Sequence, residues 1–258
     1  MARIYPLFSS SRGNATYIGT QKEGILIDAG VSCKRLFEAF DRCGLEVSAV
    51  KAIFITHEHS DHVGGLSVFT KRTGIPVYAR GRTLQYLLDG GFINSRYDEI
   101  NSSIEAAGME ITPFDTPHDA MQSCGYRIIT SDGKTCAVCT DLGHVAPEVE
   151  RNLNGCELVM LESNYDEKML RCGSYPEYLK KRIRSKHGHL SNSDCAAQLK
   201  KLVEIGTTRI ILAHLSQENN TPQIAAAAAV SGLNGFARDK DYLLEVAPVE
   251  TVGKCVVF

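Results

Sequence analysis

The chain has 258 residues, 43% of them hydrophobic, and a formal net charge of −2. That is enough apolar material for one core, near the upper size a single core serves, so one domain over 1–258 is expected. A charge balance so near zero sets up no global field for a polyanion, no apolar run approaches the roughly twenty residues that cross a bilayer, and the N-terminus starts as a strand without a charged-then-apolar leader; a soluble, cytoplasmic protein is expected.

Strand-like runs come first, at 4–8, 15–19 and 24–28, followed by an amphipathic helix over 34–43. The apolar run Ile53-Phe54-Ile55 reads as a buried strand. A helix is predicted over 63–72, a strand at 76–79 and a helical stretch over 83–89, after which strands dominate to Asp141. Beyond it come a strand at 158–162, helices over 176–184 and 193–205, a strand at 209–213 and an alanine-rich helix. Thr221 can cap that last helix, and Pro222 fits its first turn, where the missing donor costs nothing. The nine cysteines are odd in number and several sit in apolar strands. Cys136 and Cys139 are therefore read as reduced, buried thiols, because their spacing lacks the second pair of a zinc site.

His57-Glu58-His59-Ser60-Asp61-His62 follows directly on the buried strand and puts three imidazoles and a carboxylate within six positions. Residues two apart in extended chain share a face, so His57 and His59 can point at one ion. Asp61 and His62 come after the turn and can face elsewhere. Two adjacent cations suit this geometry better than one. Further candidates stand downstream, each at the end of a strand-like run: His118, Asp141 and His214. Taken singly each is weak, since a histidine or aspartate at a strand end usually shapes a turn or satisfies a hydrogen bond.

Asp28 closing Gly24-Ile25-Leu26-Ile27-Asp28-Ala29-Gly30, the histidine cluster, His118, Asp141 and His214 resemble, in this order, the motif series of the metallo-β-lactamase superfamily. Within it the chain looks most similar to the YycJ (WalJ) group, through Leu161-Glu162-Ser163-Asn164-Tyr165-Asp166, Gly188-His189-Leu190-Ser191-Asn192 and His214-Leu215-Ser216-Gln217-Glu218-Asn219-Asn220, with Ser9-Ser10-Ser11-Arg12-Gly13-Asn14 similar to that group's serine-rich first turn. The resemblance implies an α/β fold, a four-layer αββα sandwich with metals in a cleft at one edge of two sheets. It also implies that His57, His59 and His118 bind one ion, that Asp61, His62 and His214 bind a second, and that Asp141 bridges them. Asp28 would orient a ligand histidine. The donor set suits zinc, manganese or iron alike, and a hydroxide bridging the two ions would be the nucleophile.

In phosphodiesterase branches of the superfamily a histidine in a similar His-Leu-Ser setting contacts the scissile phosphate. His189 is thus a catalytic candidate, as general acid or electrostatic clamp, together with Asp61; imidazoles exchange protons near neutral pH. Lys180, Lys181, Arg182, Arg184 and Lys186 lead toward His189, and a second basic group, Lys71, Arg72, Arg80 and Arg82, flanks a strand. Such runs are a nucleic-acid track or simply a solvated face. Lys181, Arg184, Ser10, Asn192, Asn219 and Asn220 are the substrate-binding candidates; the last two serve equally well as turn formers.

The spacing from Asp141 to His214 is too short for the extra domain of the large RNA-processing relatives, and the exosite arm of transfer-RNA maturation enzymes is not evident. The group's link to 5′-to-3′ exonuclease action makes DNA the expected substrate. A small cyclic phosphodiester is the alternative, with thioester or lactone hydrolysis and a non-catalytic metal-binding scaffold behind it. Oligomeric state is left open, a homodimer being compatible with the sequence.

Overall fold

The computed structural model describes residues 2–258. Its first half begins with an antiparallel hairpin, β1 (Arg3–Ser10) and β2 (Gly13–Gly19), continued by β3 (Gly24–Ile27). Helix α1 (Cys33–Arg42) crosses over to β4 (Val50–Ile55), which lies parallel to β3. A single turn α2 (Ser60–Val63) and helix α3 (Leu66–Thr73) lead to β5 (Val77–Ala79), then α4 (Gly81–Asp89) to β6 (Tyr97–Glu99), both strands again parallel.

The second half mirrors this plan. Antiparallel β7 (Ile104–Ala106), β8 (Met109–Asp115), β9 (Cys124–Ile129) and β10 (Thr135–Cys139) are followed by parallel β11 (Leu158–Glu162), β12 (Arg209–Ala213) and β13 (Leu243–Val246). Helices α5 (Pro147–Leu153), α6 (Glu167–Cys172), α7 (Glu177–Ile183), α8 (Asn192–Glu204) and α9 (Pro222–Gly232) fill the connections. A last strand, β14 (Val256–Val257), returns to β1, giving two seven-stranded sheets in the orders β14-β1-β2-β3-β4-β5-β6 and β13-β12-β11-β10-β9-β8-β7.

Alternation along the strands builds the layers. Ile25, Ile27, Ala52 and Phe54 face the other sheet, where they meet Tyr126, Ile128, Cys136, Val138 and Met160. Their neighbours Leu26, Ile53 and Ile55 face α1, α3 and α4, while Ala137, Cys139, Val159 and Leu161 face α5, α8 and α9. A side-chain period of two thus gives each sheet two buried faces, which is why the strands read as continuous apolar runs. The result is the expected αββα order. Among the described residues no helix is long and apolar enough to cross a membrane.

The predicted helix over 63–72 is interrupted. The Gly65 N–H bonds the Ala29 carbonyl at 2.8 Å instead of continuing a helical ladder, so α2 ends at Val63 and α3 starts afresh. Helices α5 and α6 and the edge strands β13 and β14 extend beyond the predicted elements. Thr221 caps α9 as expected, its hydroxyl accepting the Ile224 N–H at 3.2 Å. All nine cysteines are free thiols, and burial pushes those of Cys136 and Cys139 well above the ordinary range.

Candidate metal centre

The site forms where parallel strands end. Asp28 follows β3, His57 lies just past β4, Asp141 just past β10 and His214 directly after β12, while Glu162 is the last residue of β11. His118 lies past β8, which runs parallel to β10 through their common neighbour β9. The carboxyl ends of both sheets thus open on one cleft, the usual place for a ligand in an α/β fold. Asp28, Asp141 and His214 hold φ values of 60°, 58° and 53°. Left-handed backbone is unfavourable for these residues and is maintained only where surrounding structure imposes it.

Three ring nitrogens converge first. His57 Nε2 and His118 Nε2 stand 3.1 and 3.4 Å from His59 Nδ1. Nitrogens about 2.05 Å from one ion at the tetrahedral angle would stand about 3.3 Å apart, so the trio could hold an ion. A second group adjoins it: Asp61 Oδ2 lies 3.5 Å from both His62 Nε2 and His214 Nε2, and Asp141 Oδ2 lies 3.2 Å from His62 Nε2. The other Asp141 oxygen, Oδ1, is 3.7 Å from His118 Nε2. One carboxylate therefore reaches toward both groups. Asp141 Oδ2 and His214 Nε2 are buried and make no hydrogen bond among the described residues. Buried polar atoms are rarely left so, and bound cations would satisfy them.

The outer partners fix which nitrogen faces inward. His62 donates Nδ1–H to Asp28 Oδ2 at 2.7 Å, His118 donates to the Gly188 carbonyl at 2.9 Å, and His214 donates to Glu162 Oε1 at 2.8 Å. Thr56 donates its hydroxyl to Asp28 at 2.9 Å and so accepts from His57 Nδ1 at 3.1 Å. Each of these rings is thereby left with the Nε2 lone pair for an ion, whereas His59 presents Nδ1. Gly30 completes the frame, since a Cβ there would come within 1.7 Å of the Asp61 carbonyl oxygen.

Charge tells the same story. Burial disfavours a proton on His214, yet Asp141, Asp61 and Glu162 outweigh it and push His214 up to about 10; the same kind of surroundings raise His62 well above the ordinary range. His57, buried among imidazoles, is pushed well below it. In the metal-free protein, protons on His62 and His214 balance the carboxylates where cations otherwise would.

Comparison with known proteins decides the family. The Beta-lactamase superfamily domain matches residues 24–215. The exodeoxyribonuclease YycJ of Bacillus anthracis is 34% identical over 223 residues, 85% of this chain and 84% of that protein. The exodeoxyribonuclease WalJ of Streptococcus pneumoniae serotype 2 is 34% identical over 234 residues, 88% and 86% of the two chains. The chain belongs to the metallo-β-lactamase superfamily, in its YycJ group. Its fold is shared with Zn2+-bound PqqB from Methylobacterium extorquens, at a TM-score of 0.74 with 16% identity over the full length of both chains. As a superfamily member of this group it is a metal-dependent hydrolase.

The YycJ-group residues singled out beyond the cluster divide sharply. His189 reaches the cleft, with its ring centre 5.2 Å from that of His118 and 5.4 Å from that of His214. Its Nδ1–H is donated to Glu162 Oε1 at 2.8 Å. A Cβ on the preceding Gly188 would stand 2.2 Å from the Arg182 and Ile183 carbonyl oxygens, which is why this loop can close so tightly. Asn192 and Asn220, expected as substrate contacts, are buried and bonded to each other at 2.9 and 3.0 Å, and Asn220 also donates to the Ser163 and Asn164 carbonyls. Asn219 is equally buried, bonded to the Ser216 hydroxyl. Ser10 is buried too, its hydroxyl accepting the Arg12 N–H at 3.2 Å. These four groups are spent on shaping strand-end loops, a correction to the reading that they face substrate.

The basic helix also needs correction. Lys180 is buried, its ammonium 3.0 Å from the Arg171 carbonyl. Arg182 forks onto Asp119 at 2.5 and 3.0 Å, and Asp119 lies 3.5 Å from His118 Nε2. Helix α7 therefore borders the cleft through that pair, with Lys181, Arg184 and Lys186 exposed. Of the second basic group, Arg80 is tied to Asp115 at 3.0 Å and Arg72 lies over the Phe37 ring.

Glu162 is the main residue to which the sequence reading assigned no role; it stood inside a matched motif with nothing to show it would meet two histidines. Asn14 is another. Its side-chain nitrogen lies 3.0 Å from His62 Nε2 and 3.3 Å from Asp61 Oδ2. Ser9 accepts the His214 N–H at 2.8 Å. The serine-rich first turn thus reaches the candidate ligand atoms of the second group directly through Asn14 and holds the His214 backbone through Ser9.

Proposed function

We propose that this protein is a DNA exonuclease acting from the 5′ end, a phosphodiesterase dependent on two divalent ions. His57, His59 and His118 would hold one ion, Asp61, His62 and His214 the other, and Asp141 would bridge them; zinc, manganese and iron all suit these donors. Bound there, the ions would supply a water acidic enough to attack near neutral pH and positive charge to offset that of the phosphate.

The observation that carries the reading is His189. A thioester hydrolase expels a thiolate that leaves without a proton and so has no need of an imidazole held against a buried carboxylate beside both ligand groups, whereas a departing sugar oxygen needs a proton. With Nδ1 held by Glu162, His189 keeps Nε2 for the substrate and delivers the proton there. Asp61, whose side chain is 20% exposed against 2% for Asp141, is the carboxylate placed to orient an incoming water. The Arg182–Asp119 pair brings the positive face of α7 to the cleft rim, where Lys181 and Arg184 stay free to meet a strand's phosphates. The two relatives named as exodeoxyribonucleases agree with a DNA substrate.

The test is an end-labelled assay on duplex and single-stranded DNA, with zinc and manganese in parallel and a cyclic nucleotide as control. Stepwise shortening from the 5′ end supports the reading. Cleavage of the cyclic nucleotide alone would replace DNA with a small phosphodiester, and no turnover by metal-replete protein would overturn both.

A further inference from the structure

Beside the metal cleft lies a second hollow, of about 360 Å3, running along α4 and lined by Arg82, Gln85, Tyr86, Asp89, Phe92 and Met121. None of these residues contributes to the metal groups. Tyr86 is 43% exposed and Met121 47%. The Tyr86 ring lies near-parallel to that of Phe92 and offset from it, with ring centres 6.2 Å apart and planes 23° from parallel, so a neighbouring ring flanks Tyr86 while much of its side chain stays accessible.

The hollow shares a wall with the metal loop. Glu58, between His57 and His59, accepts the Met121 N–H at 2.7 Å through one carboxylate oxygen and the Thr83 hydroxyl at 3.2 Å through the other. Gln122 takes the Arg82 N–H at 3.1 Å. Met121 is three residues past His118, so their Cα atoms are no more than about 11 Å apart. Charge is graded along the hollow. Arg82 stands at the end joined to the metal loop, exposed, with no described residue bonded to its guanidinium. Asp89, at the far end, is taken by the Gln85 amide at 2.8 Å.

We propose that this hollow binds a nucleotide of the DNA strand next to the one being cut, its base stacked on Tyr86 and its phosphate met by Arg82. The inference rests on the nuclease reading and names a subsite for it. An accessible aromatic ring flanked by a second one, with an unpaired guanidinium at the metal-side end of the hollow, matches the two parts of a nucleotide, an apolar plane and an anion. Stacking of this kind tolerates any base, which suits an enzyme that moves along a strand.

Two measurements on the full-length, metal-replete protein separate this proposal from the nuclease reading. Binding of a fluorescent single-stranded oligonucleotide is read by anisotropy, and hydrolysis of bis(p-nitrophenyl) phosphate serves as the metal-centre control. Tyr86→Ala is expected to weaken oligonucleotide binding about tenfold, and Tyr86→Phe to restore it, with the small ester turned over unchanged. Arg82→Ala should weaken binding and flatten its salt dependence. Tyr86-dependent binding of DNA that is never cut would uphold the hollow as a strand-binding site but overturn the nuclease reading, and with it the hollow's place next to a cut. Binding by Tyr86→Ala within about twofold of the parent would overturn the subsite whatever the cleavage result, and no binding by the parent would overturn both.

Discussion

Glu162 Oε1 stands 2.8 Å from Nδ1 of His214 and at the same distance from Nδ1 of His189. One buried oxygen thus orients a candidate ligand and a candidate acid, while Oε2 accepts the N–H groups of Leu142 and Leu190, each at 3.0 Å. Although burial alone would raise this carboxyl, His189 and His214 hold it down at about 2. Glu162→Gln keeps the shape but removes the charge and puts an amide N–H against groups that already donate. Metal affinity and turnover should each fall about 10- to 100-fold, read by metal titration and steady-state kinetics. Unchanged metal affinity with normal turnover would show that the shared oxygen is incidental.

His189→Ala should leave metal content near that of the parent and lower kcat by about 10²- to 10⁴-fold. The loss should shrink on an ester whose leaving group departs without a proton, such as a nitrophenyl phosphodiester. Equal losses on both substrates would rule out the proton-donor role.

Gly30→Ala tests the close approach behind the metal loop. A methyl 1.7 Å from the Asp61 carbonyl must push α2 away and carry Asp61 and His62 with it. Overpacking of this kind costs about 1–3 kcal/mol. A lower melting temperature together with weaker metal binding is the expected pair of results, whereas an unshifted melting curve would mean that the loop yields freely.

Metal uptake should release protons. His214 is raised from an ordinary 6.5 to about 10 in the metal-free protein, and a nitrogen must lose its proton before it can bind an ion. Affinity for zinc should therefore climb as pH rises from about 6 to 9, with net proton release in calorimetric titrations run in buffers of different ionisation heat. The same shift makes a stability statement about the metal-free chain. The contribution from His214 is complete below about pH 6.5 and is lost as pH climbs through about 10, while that of Glu162 is present above about 4.5 and is lost as pH falls through about 2.

The parts of the site legible in the sequence are those that carry their own signal. A histidine cluster after an apolar strand announces itself, and Asp28, His118, Asp141 and His214 each end a strand whose apolar run is readable. Residues that act through tertiary contact have no such mark. Glu162 looks like the polar end of a strand until β11 lies between the loops carrying Asp141 and His214. The buried amides of Asn192 and Asn220 look available in a string of letters because nothing there shows that they face each other. Lys180 likewise counts as one more positive charge until the fold turns it onto the Arg171 carbonyl. Among the elements, α6 has six residues, too few for periodicity to reveal, although Asp166 caps it by accepting the Met169 N–H at 2.8 Å. Strand β14 has only two residues and exists through its pairing with β1.

The most direct test is the number of divalent ions retained per folded chain after purification from metal-replete medium and desalting, measured by mass spectrometry on the parent and on Asp141→Ala. Two ions in the parent and one or none in the variant are predicted. A correctly folded parent that retains no divalent ion, or a variant that retains both, would contradict the account.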